Sequence, residues 1–253
     1  MVELLHGDCI ELMKDIPDKS VDLVLCDLPY GTTKNEWDNI IPFETLWGGY
    51  VRIIKDNGAI VLFSQQPFTS KLISSNPEMF KYEWIWEKAM PTGRLNVHFA
   101  PLKCHENICV FAKKAACYVK DVKNAMNYYP QMTEGKPYKS KSGSKSTNYD
   151  TKWQKETVII NNGTRYPRDV LKFNHDRTRL HPNQKPVALC EYLIKTYTNK
   201  GDTVLDNCMG SGSTGIACVN TDRNFIGIEL DDNYFDIAKN RIEEAINKKE
   251  TEQ

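Results

Sequence analysis

The chain has 253 residues, with 33 Lys and Arg against 33 Asp and Glu, 40% hydrophobic side chains and 10% aromatic ones. That apolar share supports a full core and excludes a wholly disordered chain, while the length suits one large domain carrying an insertion. No apolar run approaches the roughly 20 residues that span a bilayer, and the first residues lack a basic stretch followed by an apolar one, so a cytoplasmic chain with no membrane partner is expected.

In chain order, residues 20–26 form a β-branched-rich run ending at Asp27, the pattern of a buried parallel strand. Apolar residues at helical spacing over 43–54 predict a helix stopped by Asp56, Asn57 and Gly58. A strand over 58–63 and a helix over 66–74 follow. Residues 82–86 and 107–111 read as two strands without a clear helix between them, and so as an antiparallel pair at one edge of the sheet. Further on, a helix over 186–198 has Pro186 in its first turn. A strand over 203–206, a Gly-rich turn, a helix over 213–219 and a strand over 224–228 come next. The last helix runs from about 232 to 247, with Asp231 and Asp232 favouring its start and Lys248 and Lys249 its end. Strands alternating with helices give an α/β fold, an open doubly wound Rossmann-like sheet.

The neutral total conceals an uneven distribution. Residues 113–179 hold 15 Lys and Arg against 6 Asp and Glu, and the rest of the chain carries the opposite excess. Tyr128, Tyr129, Tyr138, Tyr149, Trp153 and Tyr166 interleave with those cations, around a polar tract at 139–148. Cations neutralise phosphates and rings stack on bases, so the segment reads as an inserted, loop-rich recognition region for nucleic acid. Its candidate contacts are Lys139, Lys141, Lys145, Lys152, Arg165, Arg168, Arg177 and Arg179. The eight cysteines contain no Cys-x-x-Cys pair, and the spacing of Cys104, His105, Cys109 and Cys117 fits no standard zinc pattern, so no metal is expected.

Two clusters carry chemistry on their own residues. Asp206-Asn207-Cys208-Met209-Gly210-Ser211-Gly212-Ser213-Thr214-Gly215 follows a strand and opens a helix, and Glu229 ends the next strand. Glycines there admit a ligand close to the backbone, the helix start favours a negative group, and Glu229 suits a ribose diol. A nicotinamide dinucleotide fits the Gly-x-Gly-x-x-Gly spacing, but Asp206 stands where its pyrophosphate would lie. Like charges ~4 Å apart cost about 4 kcal/mol at an effective dielectric of 20. S-adenosylmethionine (SAM) brings an ammonium for Asp206 and a carboxylate for the helix end instead. The second cluster, Asp27-Leu28-Pro29-Tyr30-Gly31, sits at the carboxyl end of a strand, the edge where open α/β sheets bind ligands. An acid, a neighbouring carbonyl and a ring can clamp a planar group that bears an exocyclic amine.

Together these residues resemble the amino-methylating DNA methyltransferases of the permuted, beta-class arrangement. There an Asp-Pro-Pro-Tyr motif precedes the Gly-rich SAM motif, with target recognition between them. His181-Pro182-Asn183-Gln184-Lys185-Pro186 is similar to a further family element, in which Lys185 would contact the SAM carboxylate. Gly7-Asp8-Cys9 is similar to the segment at the SAM adenine, with Asp8 accepting from its amino group. The stretches 91–96 and 104–111 are family-like as well. The resemblance implies that Asp27, Leu28, Pro29 and Tyr30 are catalytic. It also implies that Asp8, Cys9, Lys185, Asp206, Gly210, Ser211, Gly212, Ser213, Thr214 and Glu229 bind the cofactor. Residues 1–112 and 180–253 would then be two halves of one methyltransferase domain, and 113–179 the inserted recognition region. Leu28 departs from the family motif: its carbonyl remains, but the rigidity of proline is lost. Asp at position 27 points to adenine N6 as the target, with cytosine N4 as the alternative.

The implied substrate is double-stranded DNA with the target base flipped out and stacked on Tyr30. Asp27 and the Leu28 carbonyl would hold the amine with its lone pair aimed at the donor methyl. An oxidoreductase, a silent DNA-binding module and an RNA methyltransferase are the competing readings, and a homodimer is left open.

Overall fold

A computed structural model of the chain describes residues 1–31, 39–116, 122–142, 157–176 and 184–251. Strand β2 (Val21–Asp27) is buried from Val21 through Cys26. Successive side chains of a strand face opposite ways, and here helices cover both faces. Leu23 and Leu25 share a core with Leu189 and Leu193 of α4 (Val187–Tyr197), Ala217 of α5 (Ser213–Asn220) and Ile242 of α6 (Asp232–Thr251). Val24 and Cys26 join the opposite core, with Leu46 and Tyr50 of α2 (Phe43–Ile53) and Leu72 of α3 (Phe68–Ser75). A strand enclosed on both sides has no solvated face, hence an apolar run broken only at Asp22, which is buried and paired with Lys55.

Around β2, the described residues form an eight-stranded sheet. Its order is β1 (Val2–His6), β12 (Asn224–Glu229), β11 (Thr203–Asp206), β2, β3 (Ile54–Ser64), β5 (Lys103–Phe111), β4 (Phe80–Thr92) and β10 (Val170–Phe173). Strand β5 runs antiparallel to β3 and β4, and the other neighbours pair in parallel. Strands β12, β11 and β2 are therefore adjacent and parallel, and they end on Glu229, Asp206 and Asp27 at one edge. The short helix α1 (Cys9–Leu12) starts at the same edge, after β1.

Most elements match the sequence reading to within a few residues, with two corrections. The first is β1, which composition did not mark; it pairs with β12 from Val2↔Phe225 to His6↔Glu229. The second concerns the antiparallel pair β4–β5. It forms as expected, but it is not the outer edge, because β10 pairs with β4 beyond it. Leu171 is buried there and the Trp86 indole donates to the Phe173 carbonyl at 3.0 Å. The basic surroundings of β10 resemble those of the recognition region, but residues 169–176 pack with the main unit.

A second compact unit comprises Pro130–Arg168. It contains two antiparallel pairs, β6 (Thr133–Glu134) with β9 (Thr164–Arg165) and β7 (Tyr138–Ser142) with β8 (Thr157–Asn161). The tight turn before β9 needs Gly163, whose φ is +103° and whose added Cβ would lie 2.8 Å from the Gly135 carbonyl.

In the main unit, Gly215 lets α5 lie against α6 and β12. A Cβ on it would come within 2.4 Å of Ile242 and 2.8 Å of the Phe225 ring. Overpacking of this kind costs roughly 1–3 kcal/mol. Gly215→Ala is therefore expected to lower the melting temperature by several degrees in scanning calorimetry; an unchanged midpoint contradicts the close approach.

Candidate functional site

The strand ends open into a cavity of about 360 Å³, of a size usual for small-molecule sites. Its wall includes residues 7–10, 27–30, 184–185, 206–211, 213–214 and 229–230. Both clusters singled out in the sequence therefore face one space, although about 180 residues separate them along the chain.

The turn after β11 is built by backbone bonds to acids. Gly210 and Gly212 have φ of +50° and +79°, which let the chain double back before α5. The Gly210 N–H donates to Glu229 Oε2 at 2.8 Å, and Glu229 Oε1 accepts from the backbone of Leu230 and Asp231, both at 3.0 Å. Glu229 thus holds the turn as well as lining the cavity. Asp8 caps α1, its Oδ1 accepting from Ile10 N at 2.7 Å and Glu11 N at 3.2 Å. Beneath the turn, Tyr50 donates to Asn207 Oδ1 at 2.6 Å, and burial pushes the Cys26 thiol up to about 12. Cys9 is likewise a neutral thiol, held up first by its bond with Cys208 and then by burial.

Asp206 is buried, and its Oδ1 accepts from Cys208 N at 3.2 Å. Burial pushes its carboxyl up to about 7, only partly offset by the Thr214 hydroxyl and the Cys208 N–H. Such a group gains from a cationic ligand. Nearby, Ser213 Oγ is buried with no hydrogen-bond partner among the described residues. It lies in the first turn of α5, where backbone N–H groups also lack intrahelical partners. A carboxylate fits this end and an ammonium fits Asp206, so the residues present suit SAM.

At the end of β2, Leu28 buries its side chain in the core on the α2 side. Packing there anchors the position where the family motif has proline. The Tyr30 hydroxyl donates to Asp27 Oδ1 at 2.5 Å, and its ring lies 5.0 Å from that of Phe68. Lys185 Nζ donates to Asp27 Oδ2 at 2.6 Å and lies 3.2 Å from Glu106 Oε2. Its ammonium is thus committed to two protein carboxylates in this structure. Lys88 pairs with the other Glu106 oxygen. Burial raises the Asp27 carboxyl above its usual range, with Lys185 pulling the other way. Burial also pushes Glu106 up, but the Lys185 and Lys88 ammonium groups outweigh it and leave that carboxyl below its usual range.

A family model described as DNA methylase, for N6- and N4-directed enzymes, matches residues 21–240. The chain belongs to the DNA methylase family. Type II methyltransferase M.HpaI of Haemophilus parainfluenzae is 27% identical over 96% of this chain and 75% of its own. DNA adenine methyltransferase YhdJ of Escherichia coli (strain K12) is also 27% identical, over 96% and 83%. Among solved structures, the M1.HpyAVI–SAM complex superposes with a TM-score of 0.62 at 29% identity, covering 95% of this chain and all of that one.

In this methylase the candidate phosphate contacts fare differently. Lys139 and Lys141 are exposed and alternate on one face of β7, and Arg168 is exposed too. Arg165 instead organises its own unit, bonding Asn161 Oδ1 and the Lys136 carbonyl at 2.5 Å and lying 4.7 Å from the Tyr138 ring centre. Lys145, Lys152, Arg177, Arg179, His181 and Trp37 lie outside the described residues. Lys88 and Glu106 escaped the sequence reading of the site. Alternation along β4 and β5 was the available signal, since it places both charges at positions otherwise filled by core residues.

The raised Asp206 carboxyl has a consequence for stability. A carboxyl whose folded pKa exceeds its unfolded one stabilises the fold at low pH, and that contribution is lost as pH rises from about 4 to about 7. Asp206→Asn is therefore expected to make the ligand-free methylase roughly 2–4 kcal/mol more stable at pH 8, with the gain shrinking toward pH 4. Denaturant melts at both pH values check the sign.

Proposed function

We propose that this methylase transfers a methyl group from SAM to the N6 amine of an adenine flipped out of duplex DNA. The observation that carries the reading is the single cavity lined by both Asp27–Tyr30 residues and the Asp206 turn. Asp at position 27 and the adenine-directed relative YhdJ support adenine as the target.

When bound, the cofactor supplies a methyl on a cationic sulfur, which keeps the electron pair as the methyl leaves. The protein's part is orientation and charge. Asp27 accepts one amine hydrogen and the Leu28 carbonyl the other, so the nitrogen turns pyramidal and its lone pair leaves the ring plane. Tyr30, released from Asp27 or sharing it, offers its ring to the base. The amine that has gained a methyl carries one proton too many. Asp27 is placed to take it, because burial already raises its proton affinity. On the cofactor side, Asp206 would take the ammonium, Ser213 with the start of α5 the carboxylate, Glu229 the ribose hydroxyls and Asp8 the adenine amine. The unit Pro130–Arg168, with Lys139 and Lys141 exposed, supports a role in DNA recognition.

Three experiments test the reading. Labelled SAM incubated with DNA should yield N6-methyladenine on nucleoside analysis; N4-methylcytosine or no transfer refutes the target. Asp27→Asn should lose transfer by a factor of roughly 10² or more while binding SAM normally in calorimetry. Asp206→Asn should do the reverse, weakening SAM binding because the buried cation loses its partner.

A further inference from the structure

Lys88 and Glu106 stand outside the cavity wall, yet they complete a row of alternating charges that ends on Asp27. The row runs Lys88, Glu106, Lys185, Asp27, from β4 through β5 to the segment before α4 and the end of β2. The Lys88, Glu106 and Lys185 side chains are only 8%, 11% and 8% exposed. Lys185 also lies 5.2 Å from the Phe63 ring centre, and Lys88 5.6 Å from that of Trp86. Stability does not account for this arrangement, because buried ion pairs replaced by apolar residues of similar volume are often neutral or stabilising. Glu106 Oε2 is moreover buried without a hydrogen bond of proper geometry, although Lys185 Nζ is 3.2 Å away. Its charge serves the lysine more than its own bonding.

We propose that Glu106, anchored by Lys88, is a positioning residue that acts through Lys185 to keep Asp27 competent as acceptor for the amine of the target base. The proposal rests on the role of Asp27 given above. During the reaction an N–H bond of the methylated amine breaks, its electron pair stays on nitrogen, and the proton forms an O–H bond on Asp27. Asp27 is then neutral, and Lys185 would be a buried cation without a counter-ion if Glu106 were absent. With Glu106 present, Lys185 keeps a counter-ion after Asp27 has taken the proton. Glu106 also draws Lys185 partly off Asp27, which keeps that carboxylate from being fully neutralised beforehand.

The groups facing Asp27 are Cys26 on its own strand, Tyr30 in the following loop, Lys185, Glu106 on β5 and Asp206 on β11. Of these, Lys185 and the Tyr30 hydroxyl stabilise the ionised form, and Glu106 opposes it. Removing the Glu106 charge must lower the proton affinity of Asp27, and removing the Lys88 charge must raise it.

The pH dependence of transfer reads this directly. Glu106→Gln should reduce kcat roughly ten- to hundredfold, the lower part of what a proton-transfer group contributes, and move the acid limb of the kcat profile to lower pH. Lys88→Met should move that limb to higher pH, and the double variant should bring it back toward the parent. SAM affinity by calorimetry and base flipping by 2-aminopurine fluorescence should stay at parental values throughout. The proposal is overturned if the limb stays fixed in all variants, if Glu106→Gln keeps the parental rate, or if only SAM affinity falls. Should Glu106→Gln fail to fold, the double variant against Lys88→Met carries the comparison, since both buried charges are then gone. Asp27→Asn is measured alongside: parental activity in it sinks both readings, whereas an inactive Asp27→Asn with a fixed limb in the Glu106 and Lys88 variants sinks this one alone.

Discussion

Lys185 held between the carboxylates of Asp27 and Glu106 is the contact on which the catalytic edge depends. It fastens the segment before α4 to the ends of β2 and β5, which are distant in sequence. A lysine so buried would ordinarily lose its proton, but the two carboxylates more than reverse the effect of burial and keep it charged. In return the ammonium opposes burial, which on balance raises the Asp27 carboxyl above its usual range. Removing one member of such a group is costly because the others are left buried and unpaired. The edge is therefore held by a set of charges that stand or fall together.

The cofactor half of the cavity works by the opposite device. There an acid, Asp206, is buried with backbone and hydroxyl donors but no cation beside it among the described residues, and burial pushes its carboxyl up to about 7. The fold keeps an uncompensated charge in the place where a cationic ligand would neutralise it. Function and stability conflict at that residue, as they commonly do at binding sites. Around it the turn is rigid, since Gly210 and Glu229 are bonded directly and Arg241 bonds the Ser211 carbonyl from α6. Preorganisation of this kind reduces what a ligand must order on arrival.

Much of this was legible in the sequence because burial leaves a plain mark. The run Leu23 to Cys26 is apolar throughout since helices cover both faces, and Asp27, Asp206 and Glu229 stand out as the acids that end such runs. Glycine at 210 and 212 announces the turn by its required backbone angles. What escaped notice depends on partners far away in the chain. Strand β1 is short and half-exposed, and only pairing with β12 makes it a strand. Strand β10 is only four residues long and carries one buried side chain, Leu171, with Arg168, Asp169 and Lys172 close by in sequence, so charge dominates its local pattern. Lys185 was assigned by resemblance to a ligand carboxylate, and spacing alone could not place Glu106 beside it. Glu229 read as a ribose acceptor, and its grip on the Gly210 amide needed the turn to be folded.

The charge of the cavity wall bears on which ligand it can take. Its described lining holds four acids, Asp8, Asp27, Asp206 and Glu229, against the single cation Lys185, which is itself engaged by Asp27. A dinucleotide would bring a doubly negative pyrophosphate into that field, next to Asp206, with only the start of α5 to offset it. Two like charges at such distances cost about 4 kcal/mol even at a moderate dielectric, and the wall multiplies the pairs. A sulfonium with an ammonium enters the same field downhill. Loss of the methyl would leave the cofactor's sulfur neutral, and these carboxylates would then hold it less strongly. In the proposed reaction the positive charge would pass to the amine nitrogen and from there, as a proton, to Asp27. A wall rich in carboxylates with one shared lysine is therefore suited to admitting a cation, passing its charge along and letting the neutral remainder go.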